Sequence, residues 1–335
     1  MLIPQIKDSE KTAIEVRGLA KSFDDIDAVT GINFEVREGE LFGFLGPNGA
    51  GKSTTINILT GLARPNTGII RIGGIDCSTN PKAAQHLMGI VPDESNLYPE
   101  LTGFDNLSFC GSLYGMRKSE REARARDLLN RFGLTDAAGR KFAGYSRGMK
   151  RKLTIAAGIM HSPPILFLDE PTTGIDVASA RQIRQLIADM NRGGTTIFLT
   201  THYIEEAERL CQRIAFIVKG HIVRTDTVQN LMRRTDGRHV VQFAVSDGAT
   251  MLCNSVTSEF PGLQCHAVAN TAVRIESSEP IRISQLVRLI EDNGAEVTEA
   301  RKLRPSLEDV FIEITGIEAG VMKQEREKAR MEGNA

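Results

Sequence analysis

The stretch GPNGAGKST, Gly46 to Thr54, limits what this chain can fold into more than any other segment. It fits G-x-x-x-x-G-K-[ST], the pattern of a phosphate-binding loop. Gly46, Pro47, Asn48, Gly49, Ala50 and Gly51 supply a flexible backbone that wraps a diphosphate with consecutive N–H groups. Lys52 then places a point charge between the β- and γ-phosphates, and the Ser53 hydroxyl is a ligand for Mg2+. Thr54 follows in the first helical turn. The apolar run GELFGFL precedes the loop and TTINILTGL follows it, which is the strand–loop–helix order of an α/β phosphate-binding fold.

The rest of the chain extends this pattern. Short β-like runs (AIEVRGL, INFEVREGELFGFLG, IIRIGG) fill residues 13–75, and residues 95–160 read as mostly helical. A helix start is predicted at Thr102 with Asp105 three residues on. SEREARARDLLNRFGL carries apolar positions on one face and charges on the other. After Pro164, the runs ILFLDE and TTIFLTTH flank the helical ASARQIRQLIADMNRGG, a βαβ pattern whose strands are apolar enough to be covered on both faces. Beyond residues 225–238 the texture changes to a smaller α+β unit: HVVQFAV, a helical stretch, TAVRIES, ISQLVRLIEDNG and AEVTEARKL. Ser306 in PSLED reads as the cap of a last helix.

Three further sites carry chemistry. In ILFLDEPTTGID a buried strand delivers Asp169 and Glu170 at its carboxyl end, where ligands gather in such sheets. Asp169 can hold Mg2+ through its water shell, leaving Glu170 to orient or deprotonate an attacking water. His202 ends the next apolar strand, in reach of a γ-phosphate; by itself such a histidine is more often structural. YSRGMKRK, residues 145–152, opens a helix with Ser146 and Gly148, a second anion site made by free N–H groups and the helix dipole.

Taken in order, these motifs resemble those of the ATP-binding cassette (ABC) ATPases, and their wording is close to the subgroup that powers exporters of drugs, antibiotics and other amphiphiles. The resemblance covers residues 13–316. It implies an α/β P-loop NTPase (ABC ATPase) with a helical insertion, over residues 13–228 with the insertion at 93–162. A small α+β C-terminal accessory domain at 238–316 and a charged flexible tail at 317–335 complete the chain. It implies that Ser146 and Gly148 close over the γ-phosphate held by a second, antiparallel copy, with Asp176 near the shared seam. Such a clamp holds ATP and loosens on ADP, a switch driven by differential affinity. Phe23 falls where the family stacks an aromatic on adenine. Two departures stand out: Arg147 replaces a usual Gly, and Asp93 in GIVPDESNLYPE replaces a usual Gln that contacts Mg2+ and the attacking water. Asp93 can still contact the metal, but it brings another negative charge toward a triphosphate.

Bulk properties set outer limits. The net charge of −1 excludes a protein that works chiefly by neutralising nucleic-acid phosphates, so no nucleic-acid partner is expected. No stretch has the roughly eighteen consecutive apolar residues of a membrane span, and MLIPQIKDSEKT lacks signal-peptide character. The five scattered cysteines lack metal-site or redox-motif spacing and read as reduced thiols of a cytosolic protein. The expectation is a cytoplasmic ATPase using ATP and Mg2+, peripheral on the membrane through a separately encoded integral membrane permease, and working as a homodimer. The alternatives are a soluble ABC-type clamp on a non-membrane partner and a nucleotide-dependent regulator with negligible turnover.

Overall fold

Strands β1 (Thr12–Phe23) and β2 (Ile26–Arg37) open the fold as an antiparallel hairpin, in a computed structural model that describes residues 11–233, 239–303 and 306–317. The sequence expectations for residues 1–10 and for the tail from residue 318 onward lie outside the described residues. The chain then runs through β3 (Leu41–Leu45), α1 (Lys52–Leu59), β4 (Thr67–Ile72), β5 (Ile75–Asp76), α2 (Pro81–His86) and β6 (Met88–Val91). Helices α3 (Gly103–Leu113), α4 (Lys118–Arg131) and α5 (Arg147–Gly158) form the insertion. Next come β7 (Ile165–Asp169), α6 (Val177–Arg192), β8 (Thr196–Thr201), α7 (Ile204–Leu210), β9 (Arg213–Val218) and β10 (His221–Thr227).

These elements make two sheets in the first compact unit, which runs to Thr227. The central sheet has the order β10-β9-β3-β8-β7-β6, parallel from β9 through β6 with β10 added antiparallel. The smaller sheet, β2-β1-β4-β5, is antiparallel. Every residue of β3, β7 and β8 is buried, as strands covered on both faces require. Phenylalanines bind the layers: Phe34 of β2 lies 5.8 Å from Phe42 and 5.7 Å from Phe198, ring centre to ring centre. Such pairs add about 0.5–1.5 kcal/mol each beyond the area they bury.

Helix starts follow the predicted chemistry. Thr102 Oγ1 accepts the Asp105 N–H at 3.0 Å, and Ser146 Oγ accepts that of Met149 at 3.3 Å. Each satisfies one orphan donor at a helix start.

The second unit, Val228–Glu313, opens with α8 (Val228–Arg233). It continues β11 (His239–Val245), α9 (Ala249–Glu259), β12 (Gln264–Ala269), β13 (Ala272–Ser277), α10 (Ile283–Asp292), β14 (Val297–Leu303) and α11 (Leu307–Thr315). The sheet order β12-β13-β11-β14, all antiparallel, is that of a ferredoxin-like βαββαβ unit. Ser306 caps α11, accepting the Asp309 N–H at 3.3 Å while Asp309 Oδ2 accepts the Ser306 N–H at 2.9 Å.

Two expectations are corrected here. The stretch before TAVRIES contains an edge strand, β12, that the reading folded into a helical region; its residues are mostly exposed and lack apolar alternation. The thiols are not all free: Cys253 of α9 and Cys265 of β12 form a disulfide across a sequence separation of 12. The packing of α9 against its neighbouring strand brings them together, which spacing alone does not reveal. Closing a loop of this length stabilises a fold by about 3 kcal/mol. Reduction is therefore expected to lower the unfolding free energy of this unit by that order, read from denaturant melts with and without dithiothreitol.

Candidate active site

Strand register assembles the site. β6, β7, β8 and β3 are consecutive neighbours in the parallel sheet, so their carboxyl ends line up side by side. Val91 pairs with Leu168, Asp169 with Thr200, and Leu45 with Thr201. The residues just beyond those positions are Asp93, Glu170, His202 and Gly46. Four segments far apart in sequence thus deliver their functional groups to one edge.

The phosphate loop folds around its own lysine. Lys52 Nζ donates to the carbonyls of Gly46 (2.8 Å) and Pro47 (3.1 Å) and stands 3.2 Å from Glu170 Oε1. Close packing holds the loop from behind: Gly220 N–H donates to Ala50 O at 3.0 Å. A Cβ on Gly46 would lie 2.1 Å from Ile217 O, and one on Gly51, whose φ is +102°, 2.3 Å from Ala28 O. The cradle has no room for a side chain facing the β9–β10 hairpin. Gly46→Ala is expected to cost about 1–3 kcal/mol and to lower the melting temperature by roughly 2–12 °C, measurable by calorimetry. Ser53 and Thr54 open α1, where the first N–H groups have no intrahelical acceptor.

Glu170 is the hub. It is 7 % exposed and adopts a left-handed backbone conformation (φ 47°), which turns the chain sharply out of β7. Its N–H donates to Thr200, its Oε2 accepts from Thr173 Oγ1 at 3.1 Å, and His202 Nδ1 lies 2.8 Å from the same oxygen. Burial pushes its carboxyl up, but the His202 hydrogen bond and the Lys52 charge outweigh that and hold the pKa at about 2. His202 Nε2 is buried with no hydrogen-bond partner among the described residues. A buried orphan nitrogen beside Glu170 is the kind of group that marks a ligand site.

Asp169 is buried, and its Oδ1 accepts the Thr200 hydroxyl. Asp93 retains solvent contact; burial on its inner side, with Glu170 and Asp169 nearby, outweighs the Arg151 charge and pushes its pKa up to about 6. Among the described residues no cluster of three or more His, Cys, Asp or Glu side chains could hold a metal alone. One hydroxyl, one or two carboxylates and phosphate oxygens is instead the donor set that suits Mg2+. Ser53, Asp169 and Asp93 fit it.

Ser146, Gly148 and Asp176 gather elsewhere, where α5 and α6 begin. Asp176 caps α6, accepting the Ser179 N–H at 2.9 Å, and hydrogen bonding from the Ser179 side chain and N–H holds its carboxyl low. Gly148 packs so tightly there that a Cβ would lie 2.3 Å from Ser179 Oγ. Ser146 and Arg147 are exposed. Phe23, at the end of β1, is 48 % exposed, with Lys21 Nζ 4.8 Å from its ring centre.

Sequence reasoning missed three polar residues beneath the site. Thr200 ties Asp169 to the Glu170 backbone. Glu206, wholly buried, accepts the Thr172 hydroxyl at 2.7 Å, and burial pushes its carboxyl up. Arg151 is buried on α5. None of them left a sequence signal: Arg151 and Glu206 sit in charge-rich helical runs, and Thr200 in an apolar strand.

A parallel sheet whose strand ends combine a phosphate loop, a paired acid and a histidine defines a P-loop ATPase of the cassette type. Residues 29–173 match the ABC transporter family. Over 310 residues the chain is 35 % identical to the linearmycin resistance ATP-binding protein LnrL of Bacillus subtilis (strain 168), covering 90 % of this chain and 98 % of that one. It is 35 % identical over 306 residues to the daunorubicin/doxorubicin resistance ATP-binding protein DrrA of Streptomyces peucetius, covering 91 % and 92 % respectively. It is similar to a solved ATP-binding subunit of an ABC transporter, with TM-score 0.61, 30 % identity, and 67 % and 94 % of the two chains covered. A dimeric ATP-binding cassette in a post-hydrolysis state with ADP and Pi matches at TM-score 0.59 and 28 % identity, covering 64 % and 98 %. The chain belongs to the ABC transporter family, as an ATP-binding and ATP-hydrolysing subunit.

Proposed function

We propose that two copies of this chain close head to tail on two ATP molecules and, by hydrolysing them, drive a separately encoded membrane permease. The observation that carries this reading is the division of the anion-binding groups. Lys52, Glu170 and His202 interlock at one sheet edge, while exposed Ser146 heads α5, whose Gly148 packs against the start of α6 that Asp176 caps. A cassette solved as a dimer with hydrolysis products supports the same arrangement.

The chain's own residues perform the reaction as follows. Lys52 and the loop amides hold the β- and γ-phosphates. As the ammonium turns to phosphate it releases Glu170, whose proton affinity rises toward what a general base needs. Glu170 then orients the attacking water while His202, through Nε2, contacts the γ-phosphoryl oxygens. Ser53 and Asp169, with Asp93, would hold Mg2+, which when bound neutralises phosphate charge. Ser146 and Gly148 of each copy cover the other's nucleotide, and Phe23 stacks on adenine.

No helix among the described residues is long and apolar enough to cross a membrane. The reading therefore requires a partner that does, placing this chain on the cytoplasmic face. Solubilising membranes from the producing cell and purifying the tagged chain tests it. Stoichiometric recovery of an integral membrane protein is expected; recovery only with a soluble assembly would favour a clamp function instead.

A further inference from the structure

Arg151 holds a position that the account above does not use. It is 7 % exposed, one turn and a half along α5 from Ser146. Its guanidinium spends its donors on backbone carbonyls of two segments, the one after β6 and the one at the end of β7. Nε donates to Pro171 O at 3.0 Å, Nη1 to Asp93 O at 2.9 Å and also to Pro92 O, and Nη2 to Asp169 O. The charges that act on it most strongly belong to Asp93, Asp169, Glu206 and Glu170. None of these carboxylates accepts its hydrogen bonds. A residue present only to balance charge would pair with one of them; this one grips main chain.

Only a planar fork can do this. Arginine presents five N–H donors in fixed directions, whereas lysine carries its donors on one point. The two segments held, 92–93 and 169–171, are those that carry Asp93, Asp169 and Glu170. Pro171 also begins the path to Asp176, and the Thr172 hydroxyl beside it donates to Glu206 at 2.7 Å.

We propose that Arg151 is a positioning residue that locks α5 to these two segments. Docking of Ser146 and Gly148 on a second copy's nucleotide then sets the position of Asp169 and Glu170 in the chain's own site. The inference rests on the two-copy reading above. It makes hydrolysis at one nucleotide depend on occupancy of the other through a single side chain.

Steady-state ATP hydrolysis by Arg151→Lys, Arg151→Met, Ser146→Ala and the Arg151→Lys/Ser146→Ala double variant tests it. Both Arg151 variants should lose at least tenfold in kcat with KM for ATP within about twofold, because phosphate binding is left intact. The double variant should fall no further than the worse single variant, since both changes interrupt one linkage. Arg151→Lys keeps the buried charge and carries the test should Arg151→Met not fold. Parent-like kcat in Arg151→Lys, or losses that multiply in the double variant, would overturn the inference while leaving the two-copy reading intact. An unaffected kcat in Ser146→Ala would overturn that reading and the inference with it.

Discussion

Glu170→Gln will lower kcat for ATP by about 10²–10⁴-fold and leave ATP affinity nearly unchanged, as expected when a general base is lost but the binding groups are kept. The size follows from the carboxylate's position. Its oxygens face Lys52 Nζ and His202 Nδ1, and its backbone is anchored on Thr200, which fixes the carboxylate in place. Glutamine keeps the shape and can still accept from His202 and Thr173. It cannot take a proton from water. Single-turnover hydrolysis with equilibrium ATP binding on the same sample separates the two quantities; equal turnover in parent and variant would remove Glu170 from the reaction.

Lys52→Ala is the second large effect, and it strikes both binding and folding. Removing the ammonium deletes the charge that holds the phosphates, and truncating one partner of such a buried, charge-assisted contact costs about 2–5 kcal/mol. That corresponds to a loss of roughly 30- to 5000-fold in ATP affinity. It also leaves Glu170, 7 % exposed, with one cationic neighbour fewer. Breaking a buried pair from one side costs about 3–5 kcal/mol, and the low end applies because His202 still hydrogen-bonds the carboxylate. The double variant Lys52→Ala/Glu170→Gln should regain most of the lost stability and none of the affinity. Titration calorimetry and denaturant melts read the two effects independently.

The sign of the pH dependence follows from the same pair. The Glu170 pKa in the folded protein, about 2, lies below its ordinary value of 4.5. Its stabilising contribution is therefore fully present above the unfolded value and is lost as pH falls from there through the folded value. In Lys52→Ala the folded value rises, the window narrows, and acid unfolding at constant ionic strength should depend less on this carboxyl.

The parts of this molecule that were legible in its sequence are those specified within a few consecutive residues. The loop from Gly46 to Thr54, the acids after β7, and the caps Thr102, Ser146 and Ser306 each announce themselves by local chemistry. So do β3, β7 and β8, which are continuously apolar because both faces are covered. What required the structure is whatever is made by distant segments meeting. Gly46 is needed because Ile217 O lies behind it, and that contact comes from a hairpin 170 residues on. Arg151 and Glu206 look like ordinary helix-surface charges in KRKL and IEEAERL until the packing turns them inward. The Cys253–Cys265 bond and the exposed edge strand β12 were hidden for the same reason: neither leaves a periodic trace.

The central claim is that one copy holds only half of each ATP site. The mass of Glu170→Gln by light scattering in MgATP and in MgADP tests it most directly. A shift from monomer to dimer in MgATP that reverses in MgADP is the result this account predicts. A protein that binds MgATP stoichiometrically and stays monomeric at every concentration would contradict it.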